Sequence, residues 1–299
     1  MRIVSLLPSA TEIVAALGAL DQLVGVTHAC DYPPQIAHLP RLTSTQVDGG
    51  APPDIIDRDV RAAAEHGTPL YDVNDALLAS LRPDVIVTQA LCDVCAVRET
   101  DVRAAAERLS PAPRVVTLSG TSIDGIFRDI ACAANAIGVP DEAEELIAGL
   151  RTRLRHVHDR LRGARAPRPR VAVLEWTDPV FTAGHWVPEM VHRAGGVDAL
   201  AAPGTHSRAI SVAEVASAAP EVLVFAPCGY DLRRATREAS SVLGTEGWGW
   251  ARERVAWALD ANALASRPGP RVVDGVETLA GVLHPALFGE PASDRAVRI

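Results

Sequence analysis

The feature that most constrains the fold is a long helical pattern near the middle of the chain. Within residues 141–163, apolar side chains recur at steps of three and four, and charged residues fill the other faces. The apolar positions are Ala143, Leu146, Leu150, Leu154, Val157 and Leu161. Acidic residues dominate the first turns and arginines the last, which complements the helix dipole. The pattern predicts one amphipathic helix, capped by Asp141 and about 34 Å long.

A helix of this length has two interpretations. It is either an ordinary surface helix of one large domain or a rigid connection between two lobes. The chain has 299 residues, of which 48% are hydrophobic, so it is long and apolar enough for two cores. The sequence on either side of the helix therefore distinguishes between these two interpretations.

The same order of strand, loop and helix occurs on both sides of the predicted helix. The strand pattern of 170–174 parallels that of 2–6, and residues 218–224 parallel 81–87. Strands that alternate with helices indicate parallel sheets joined by right-handed crossovers. The repetition favours an α/β fold of two similar lobes. We expect an N-terminal lobe at 1–121, connecting helices at 122–164 with the backbone helix at 141–163, and a C-terminal lobe at 165–299.

Shorter helices are predicted from their start signals and periodicity. Ser9 and Glu12 have the spacing of a capping box and predict a helix that ends at Gly18. Helical patterns also cover residues 96–109 and 276–283. Asn74 or Asp75 is expected to cap a brief helix before the strand at 85–88.

Composition and missing motifs exclude several classes of protein. The net charge of −8 and the lack of a basic stripe beyond the arginines near the end of the central helix argue against nucleic-acid binding. The chain lacks a G-x-x-x-x-G-K-[ST] loop, a G-x-G-x-x-G turn after a strand and a G-x-S-x-G motif. No apolar run approaches the roughly 20 residues that span a bilayer. We therefore expect neither a nucleotide-dependent enzyme nor a serine hydrolase, and we expect no membrane-inserted protein.

The start of the chain bears on its location. It opens MRIVSLLPSATE, without a basic and apolar leader. This predicts a cytoplasmic protein, with a periplasmic or surface-anchored location only if a leader has been removed. Five cysteines in a chain of this length are too few for a disulfide framework, which predicts reduced thiols.

Cysteines follow the ends of several predicted strands, where open parallel sheets bind ligands. They are Cys30, Cys92, Cys95 and Cys228. Cys92 and Cys95 have the C-x-x-C spacing that lets two thiolates share one ion, so one hypothesis is a zinc or iron–sulfur site built from these four residues. Buried thiols that pack as small apolar groups are the alternative. A third is a redox dithiol at Cys92 and Cys95.

Aromatic residues concentrate after the first strand of the C-terminal lobe, in a chain that is only 4% aromatic. Trp176, Phe181 and Trp186 either form the wall of a site for a large, flat, partly apolar ligand or cover the top of the core. Arg267 lies in a Pro/Gly-rich loop, where it either meets an anionic group or is solvated.

Several segments carry a resemblance to a known family. RIVSLLPSATEIVAALG at the start, VGVTHACDYP, LRPDVIVTQ, LEWTDPVFTAGHWVPEMVHRAGG and RPGPRVVDG resemble the helical-backbone (class III) substrate-binding proteins of ABC importers for cobalamin and iron chelates, and the cobalamin-binding branch in particular. The resemblance covers nearly the whole chain. It implies two Rossmann-like lobes joined by one rigid helix, with a ligand clamped in the cleft between them.

The resemblance also implies which residues contact the ligand. Together with Arg267, the expected ligand-binding residues are Pro8, Ser9, His28, Cys30, Asp31, Tyr32, Gln89, Trp176, Phe181, His185 and Trp186. The implied partners are cobalamin or an iron chelate and an ABC permease, and we expect a monomer. Residues 91–97 and 227–229 resemble a subgroup without a leader, and the loop 261–265 lacks an expected aromatic residue.

The leading hypothesis is a non-catalytic solute-binding protein for cobalamin or another corrinoid, whose cobalt can also accept a thiolate. The alternative is a cytoplasmic metal or iron–sulfur protein that uses Cys30, Cys92, Cys95 and Cys228. A dithiol oxidoreductase at Cys92 and Cys95 is the third hypothesis.

Overall fold

A computed structural model describes residues 1–91 and 96–299 of the chain. These residues form two compact units. The first comprises Met1–Gly120 and Asp124–Gly149, and the second comprises Thr121–Ile123 and Leu150–Ile299. Each unit is built on a sheet with parallel strands and covering helices, which confirms the predicted α/β class. The three-part division of the chain at residues 121 and 164 stays a prediction.

The first unit contains a parallel sheet and a small separate two-stranded sheet. Its strands are β1 Ile3–Ser5, β2 Leu23–Val26, β3 Thr43–Thr45, β4 Tyr71–Val73, β5 Val85–Gln89 and β6 Arg114–Leu118. The sheet has the order β2-β1-β5-β6 with every neighbouring pair parallel, while β3 and β4 pair with each other antiparallel. The apolar runs of β1 and β5 are buried, as expected for central strands covered on both faces. All four parallel strands therefore end at one edge of the sheet.

Helices of the first unit follow their start signals with two differences. They are α1 Pro8–Ala16, α2 Pro53–Glu65, α3 Asp75–Leu81, α4 Glu99–Glu107 and α5 Ile123–Ile137. Asn74 caps α3 by accepting the amide hydrogen of Leu77, as predicted. The predicted capping box of α1 is wrong, because Pro8 takes the first helical position and places Ser9 inside the helix. The helix predicted at 96–109 is shorter and begins at Glu99.

The long central helix, α6, is Pro140–Gly163. It begins one residue before the predicted start, so Asp141 lies in its first turn instead of capping it. Four positions of the predicted apolar stripe are buried, namely Ala143, Leu150, Leu154 and Val157. The helix contributes residues to both compact units.

The second unit has a mixed sheet. Its strands are β7 Arg170–Thr177, β8 Val180–Thr182, β9 Val197–Asp198, β10 Val222–Phe225, β11 Val255–Leu259 and β12 Ala296–Arg298. The order is β12-β11-β10-β7-β8, with β9 also paired to β7. Strands β7, β10 and β11 are parallel at the centre, whereas β8 and β12 are antiparallel edge strands. These short edge strands have no alternating pattern of their own, and the sequence did not predict them.

Helices of the second unit cover this sheet. They are α7 Val187–Arg193, α8 Val212–Ser217, α9 Leu232–Leu243, α10 Ala261–Leu264, α11 Val272–Leu283 and α12 Pro285–Phe288. Helix α11 begins four residues before its predicted start, and most of it is buried. Within the described parts of the chain, no helix combines the length and the apolar character that crossing a membrane requires.

Candidate functional site

In the first unit, the predicted ligand contacts lie after β1 and β2 and at the end of β5, at the carboxyl edge of the parallel sheet. This is the edge at which open α/β sheets bind ligands. Pro8 is partly exposed, whereas Ser9 is only 1% exposed and its Oγ has no hydrogen-bond partner among the described residues. Gln89 is also buried, and its Oε1 accepts the amide hydrogen of Leu91. Pro8 is therefore the better placed of these three for contact with a ligand.

His28 is held at this edge by residues of the two-stranded sheet of β3 and β4. Its backbone N–H donates to Thr43 Oγ1 at 3.1 Å, and its Nδ1 lies 2.7 Å from the same oxygen. The ring of Tyr71 lies beside the imidazole, with 5.8 Å between the ring centroids. Burial lowers the pKa of His28, a hydrogen bond with the Thr43 backbone raises it in part, and the charge of Arg41 lowers it further. The sequence identified His28, but not Thr43 and Tyr71, because those two reach it through a strand pairing.

The residues that follow His28 differ in exposure. Asp31 and Tyr32 are exposed, Tyr32 by 43% of its surface. Cys30 is buried, and its Sγ lies 3.1 Å from Thr11 Oγ1. A thiol packed inside the unit fits the alternative interpretation of Cys30 as a small buried group.

In the second unit, the predicted aromatic contacts lie near the end of β7, in β8 and in the loop before α7, and their surroundings differ. Trp176 and Phe181 pair across β7 and β8, and both are partly exposed. Tyr230, in the loop after β10, packs edge-on against Trp176 with 5.4 Å between the ring centroids. The guanidinium of Arg234 lies 3.8 Å from the Tyr230 ring centroid and donates to its hydroxyl. Trp176 and Phe181 therefore present a partly apolar surface that buried Tyr230 supports from below.

Tyr230 was missed by the sequence analysis. It directly follows the turn at 227–229, in which Cys228 was the only residue considered as part of a site. An aromatic residue directly after a predicted strand and a Gly-containing turn is the signal that would have identified it. By contrast, Trp186 is 5% exposed and donates its indole N–H to a backbone carbonyl. This matches the alternative in which an aromatic residue covers the core.

His185 adopts a strained conformation in the loop before α7. Its φ of 54° lies in the left-handed region, which few residues other than glycine adopt. Backbone hydrogen bonds with Thr205 and Gly204 hold it there, at 2.6 and 2.8 Å. Its Nε2 is buried with no hydrogen-bond partner in the described chain. The His185 and His206 rings are nearly perpendicular, with 5.0 Å between their centroids. Burial, and then the charge of His206, lower the pKa of His185.

Glu175 sits beneath this loop. Its Oε2 accepts the amide hydrogen of Gly184 at 3.1 Å, and Ser207 also donates to the carboxylate. Burial raises the pKa of Glu175, while these two hydrogen bonds lower it in part. A side chain at Gly184 would approach Ser207 N to 2.4 Å, so only glycine allows the two chain segments to pack this closely.

Arg267 is buried, with 7% of its surface exposed. It donates to Asn262 Oδ1 at 2.7 Å, which fixes its side chain against the loop that carries α10. Contact with an anionic group of a ligand stays a prediction for this residue.

Of the four cysteines of the predicted metal site, the structure describes two, Cys30 and Cys228. Cys92 and Cys95 lie outside the described residues. The dithiol hypothesis depends on these two residues, so it stays a prediction. Cys30 is buried and Cys228 is exposed. In the described ranges, no group of three or more His, Cys, Asp or Glu side chains is arranged to hold a metal ion. These observations do not support a zinc or iron–sulfur site.

The sequence of this chain is similar to those of known binding proteins. Residues 3–249 match the family described as periplasmic binding protein. A Vitamin B12-binding protein of Vibrio cholerae is 25% identical over 288 residues, which cover 94% of this chain and 88% of the relative.

Solved structures share the fold. The periplasmic vitamin B12-binding protein of Vibrio cholerae is 25% identical with a TM-score of 0.62, covering 95% of this chain and 97% of that one. A periplasmic haem-binding protein of Pseudomonas aeruginosa is 24% identical with a TM-score of 0.71, covering 99% and 97%. The latter likeness concerns the fold alone.

The comparisons correct the predicted location. A cytoplasmic protein was expected from the first residues of the chain, and that prediction is wrong. The similar proteins from Vibrio cholerae and Pseudomonas aeruginosa are periplasmic. The pattern of the first residues was therefore a poor guide to the location of the protein.

Proposed function

Since this chain belongs to the periplasmic binding protein family and is a solute-binding protein of the vitamin B12, haem and iron-chelate type, not an enzyme, we propose that its ligand is a corrinoid. Cobalamin is the first compound to test. The family membership supports binding as such, and the choice of a corrinoid goes beyond it.

The observation that carries the choice is the aromatic surface of the second unit. Trp176 and Phe181 are adjacent, partly exposed and supported by Tyr230. A partly apolar macrocycle buries a large area against such a surface, and rigid aromatic side chains lose little conformational entropy in doing so. The similarity to a vitamin B12-binding protein over nearly the whole chain supports the same ligand class.

Location and partner follow from the same proposal. We place the protein outside the cytoplasmic membrane, where a binding protein meets its ligand before import. Its partner is an ABC permease, to which it delivers the ligand. The clamping of one ligand by both lobes, predicted from the family resemblance, remains a prediction.

The test is direct titration of the purified chain with cyanocobalamin. Calorimetry and the change in the corrinoid absorption bands report binding. We expect a one-to-one complex with a dissociation constant of about 1 µM or lower. Haemin and a ferric siderophore are titrated in parallel. Binding of haemin without binding of cobalamin or cobinamide would assign the protein to the haem type and end the corrinoid proposal.

A further inference from the structure

Two residues of α9 hold the strand end that carries the aromatic surface of the second unit. Arg234 donates from Nη2 to the hydroxyl oxygen of Tyr230 at 2.8 Å, and its guanidinium carbon lies 3.8 Å from the centroid of the same ring. Glu238 accepts a hydrogen bond from Thr177 Oγ1, also at 2.8 Å. Residues four positions apart share one face of a helix, so both contacts come from the same side of α9.

Tyr230 connects Arg234 to the aromatic surface without forming part of it. Its ring packs against Trp176 at an interplanar angle of 65°, with 5.4 Å between the centroids. Tyr230 is 3% exposed, which leaves almost no surface for a ligand. Its backbone N–H donates to the carbonyl of Pro227, and its own carbonyl accepts the N–H of Asn262, both at 3.0 Å. The backbone of Tyr230 is therefore fixed independently of its ring.

The two contacts of Arg234 restrict the Tyr230 ring in different ways. The hydrogen bond fixes the far end of the ring, at the hydroxyl group. The cation over the ring face is attracted by the negative charge of the π-system, which fixes the plane of the ring. An arginine side chain is always charged and only donates, so the direction of its hydrogen bond is unambiguous. Removing Arg234 would free the ring that supports Trp176.

On the basis of the proposed corrinoid function, we infer that Arg234 is a positioning residue of the ligand-binding surface. It acts through Tyr230 to hold the Trp176 indole in the orientation that the ligand meets, and it does not itself contact the ligand. A side chain that is already ordered loses less conformational freedom when a ligand covers it, so this support raises the affinity. The bond between Thr177 and Glu238 fixes the next residue of β7 to the same helix.

The test is a double-mutant cycle in the dissociation constant for cyanocobalamin, measured by calorimetric titration. Arg234→Met removes the charge and the donor but keeps a long side chain, and the affinity should fall about fivefold. In a Trp176→Ala background the same substitution should change the affinity by less than about twofold, because the side chain that Arg234 positions is absent. Equal effects in both backgrounds would show that Arg234 acts independently of Trp176 and would overturn the inference.

Control variants separate positioning from folding and from general charge effects. Partial unfolding lowers the apparent affinity only in proportion to the folded fraction, so a variant about nine-tenths folded by circular dichroism cannot lose fivefold in this way. Arg237→Met removes the same charge from an exposed position of α9 and should retain the wild-type affinity. A loss equal to that of Arg234→Met would contradict a specific role.

Two conservative variants refine the test. Arg234→Lys keeps a cation without the planar guanidinium, and its affinity should lie between those of Arg234→Met and wild type. Tyr230→Phe keeps the ring but removes the hydroxyl acceptor, and it should lower the affinity by about twofold in the wild-type background alone. If Arg234→Met does not fold, the same cycle with Tyr230→Phe decides.

The outcomes distinguish this inference from the proposed function. If the wild-type chain binds cobalamin but Arg234→Met leaves the affinity unchanged, only the inference fails. The same holds if Trp176→Ala has no effect on the affinity. If neither cobalamin nor cobinamide binds to the wild-type chain, the proposed function fails and the inference fails with it.

Discussion

Trp186 donates its indole N–H to the backbone carbonyl oxygen of Ala265, at 2.8 Å. The bond joins the start of α7 to the residue that follows α10, 79 positions along the chain. Trp186 is 5% exposed, so both the ring and the bonded carbonyl are shielded from water. This tryptophan supports the loops of the second unit instead of facing solvent.

Trp186→Phe should therefore destabilise the protein. The substitution leaves the Ala265 carbonyl buried without its donor, which costs about 1–3 kcal/mol. Trp186→Ala adds a cavity and should cost about 3–5 kcal/mol. Urea unfolding followed by circular dichroism measures both. Trp176→Phe is the matched control, because Trp176 is partly exposed and its indole bond to Asp178 reaches a near neighbour. Equal losses for Trp176→Phe and Trp186→Phe would contradict the structural role.

Trp176→Ala should mainly weaken ligand binding, whereas Trp186→Ala should mainly destabilise the fold. It removes much of the exposed aromatic surface that we assign to the ligand, so the dissociation constant for cobalamin should rise by about tenfold. The free energy of unfolding should change less than for Trp186→Ala. Calorimetric titration checks the first expectation and urea unfolding the second. Unchanged cobalamin affinity would remove Trp176 from the binding surface.

Arg153 links two helices of the second unit. From α6 it donates to both carboxylate oxygens of Glu277 in α11, at 2.9 and 2.6 Å, and also to Asp274. The guanidinium is 39% exposed, so solvent screens the ion pairs and Arg153→Met should cost only about 1 kcal/mol. Arg162→Met, on an exposed position of the same helix, should cost less. The difference between the two variants should shrink in concentrated salt, and a difference that grows with salt would contradict an ionic origin.

Asp198 should make stability depend on pH. Burial raises its pKa from 3.8 to about 6, although its carboxylate accepts the amide hydrogens of Leu200 and Ala201. Its Oδ2 is buried and has no partner among the described residues. Because the folded pKa lies above the unfolded value, the group's contribution to stability is complete below the unfolded pKa and is lost as the pH rises through 6.

Asp198→Asn isolates this contribution. The amide oxygen can still accept the two backbone hydrogen bonds, but the side chain no longer ionises. The stability of the variant relative to wild type should rise by about 2 kcal/mol between about pH 4 and about pH 7. Denaturant unfolding at a series of pH values checks this. A difference that is constant over the range would show that Asp198 ionises as readily in the folded chain as in the unfolded one.

The candidate site was only partly accessible to sequence reasoning. His28, Trp176, Phe181 and His185 were predicted as ligand contacts because each follows a predicted strand or belongs to a recognisable motif. Thr43 and Tyr71 were missed, since β3 and β4 bring them to His28 from positions 15 and 43 residues away. Contacts of that range leave no periodic signal in the chain.

By itself, the sequence determined the α/β class, the strands of the two sheet centres, the long helix α6 and its buried stripe. These follow from local patterns, because alternation, apolar runs and helical spacing act over a few residues. Only the tertiary structure decided that Trp186 is buried while Trp176 is partly exposed, that β8 and β12 run antiparallel, and that Thr43 orients His28. Each of those depends on which distant segment packs against a residue, and that choice is made by the whole folded unit.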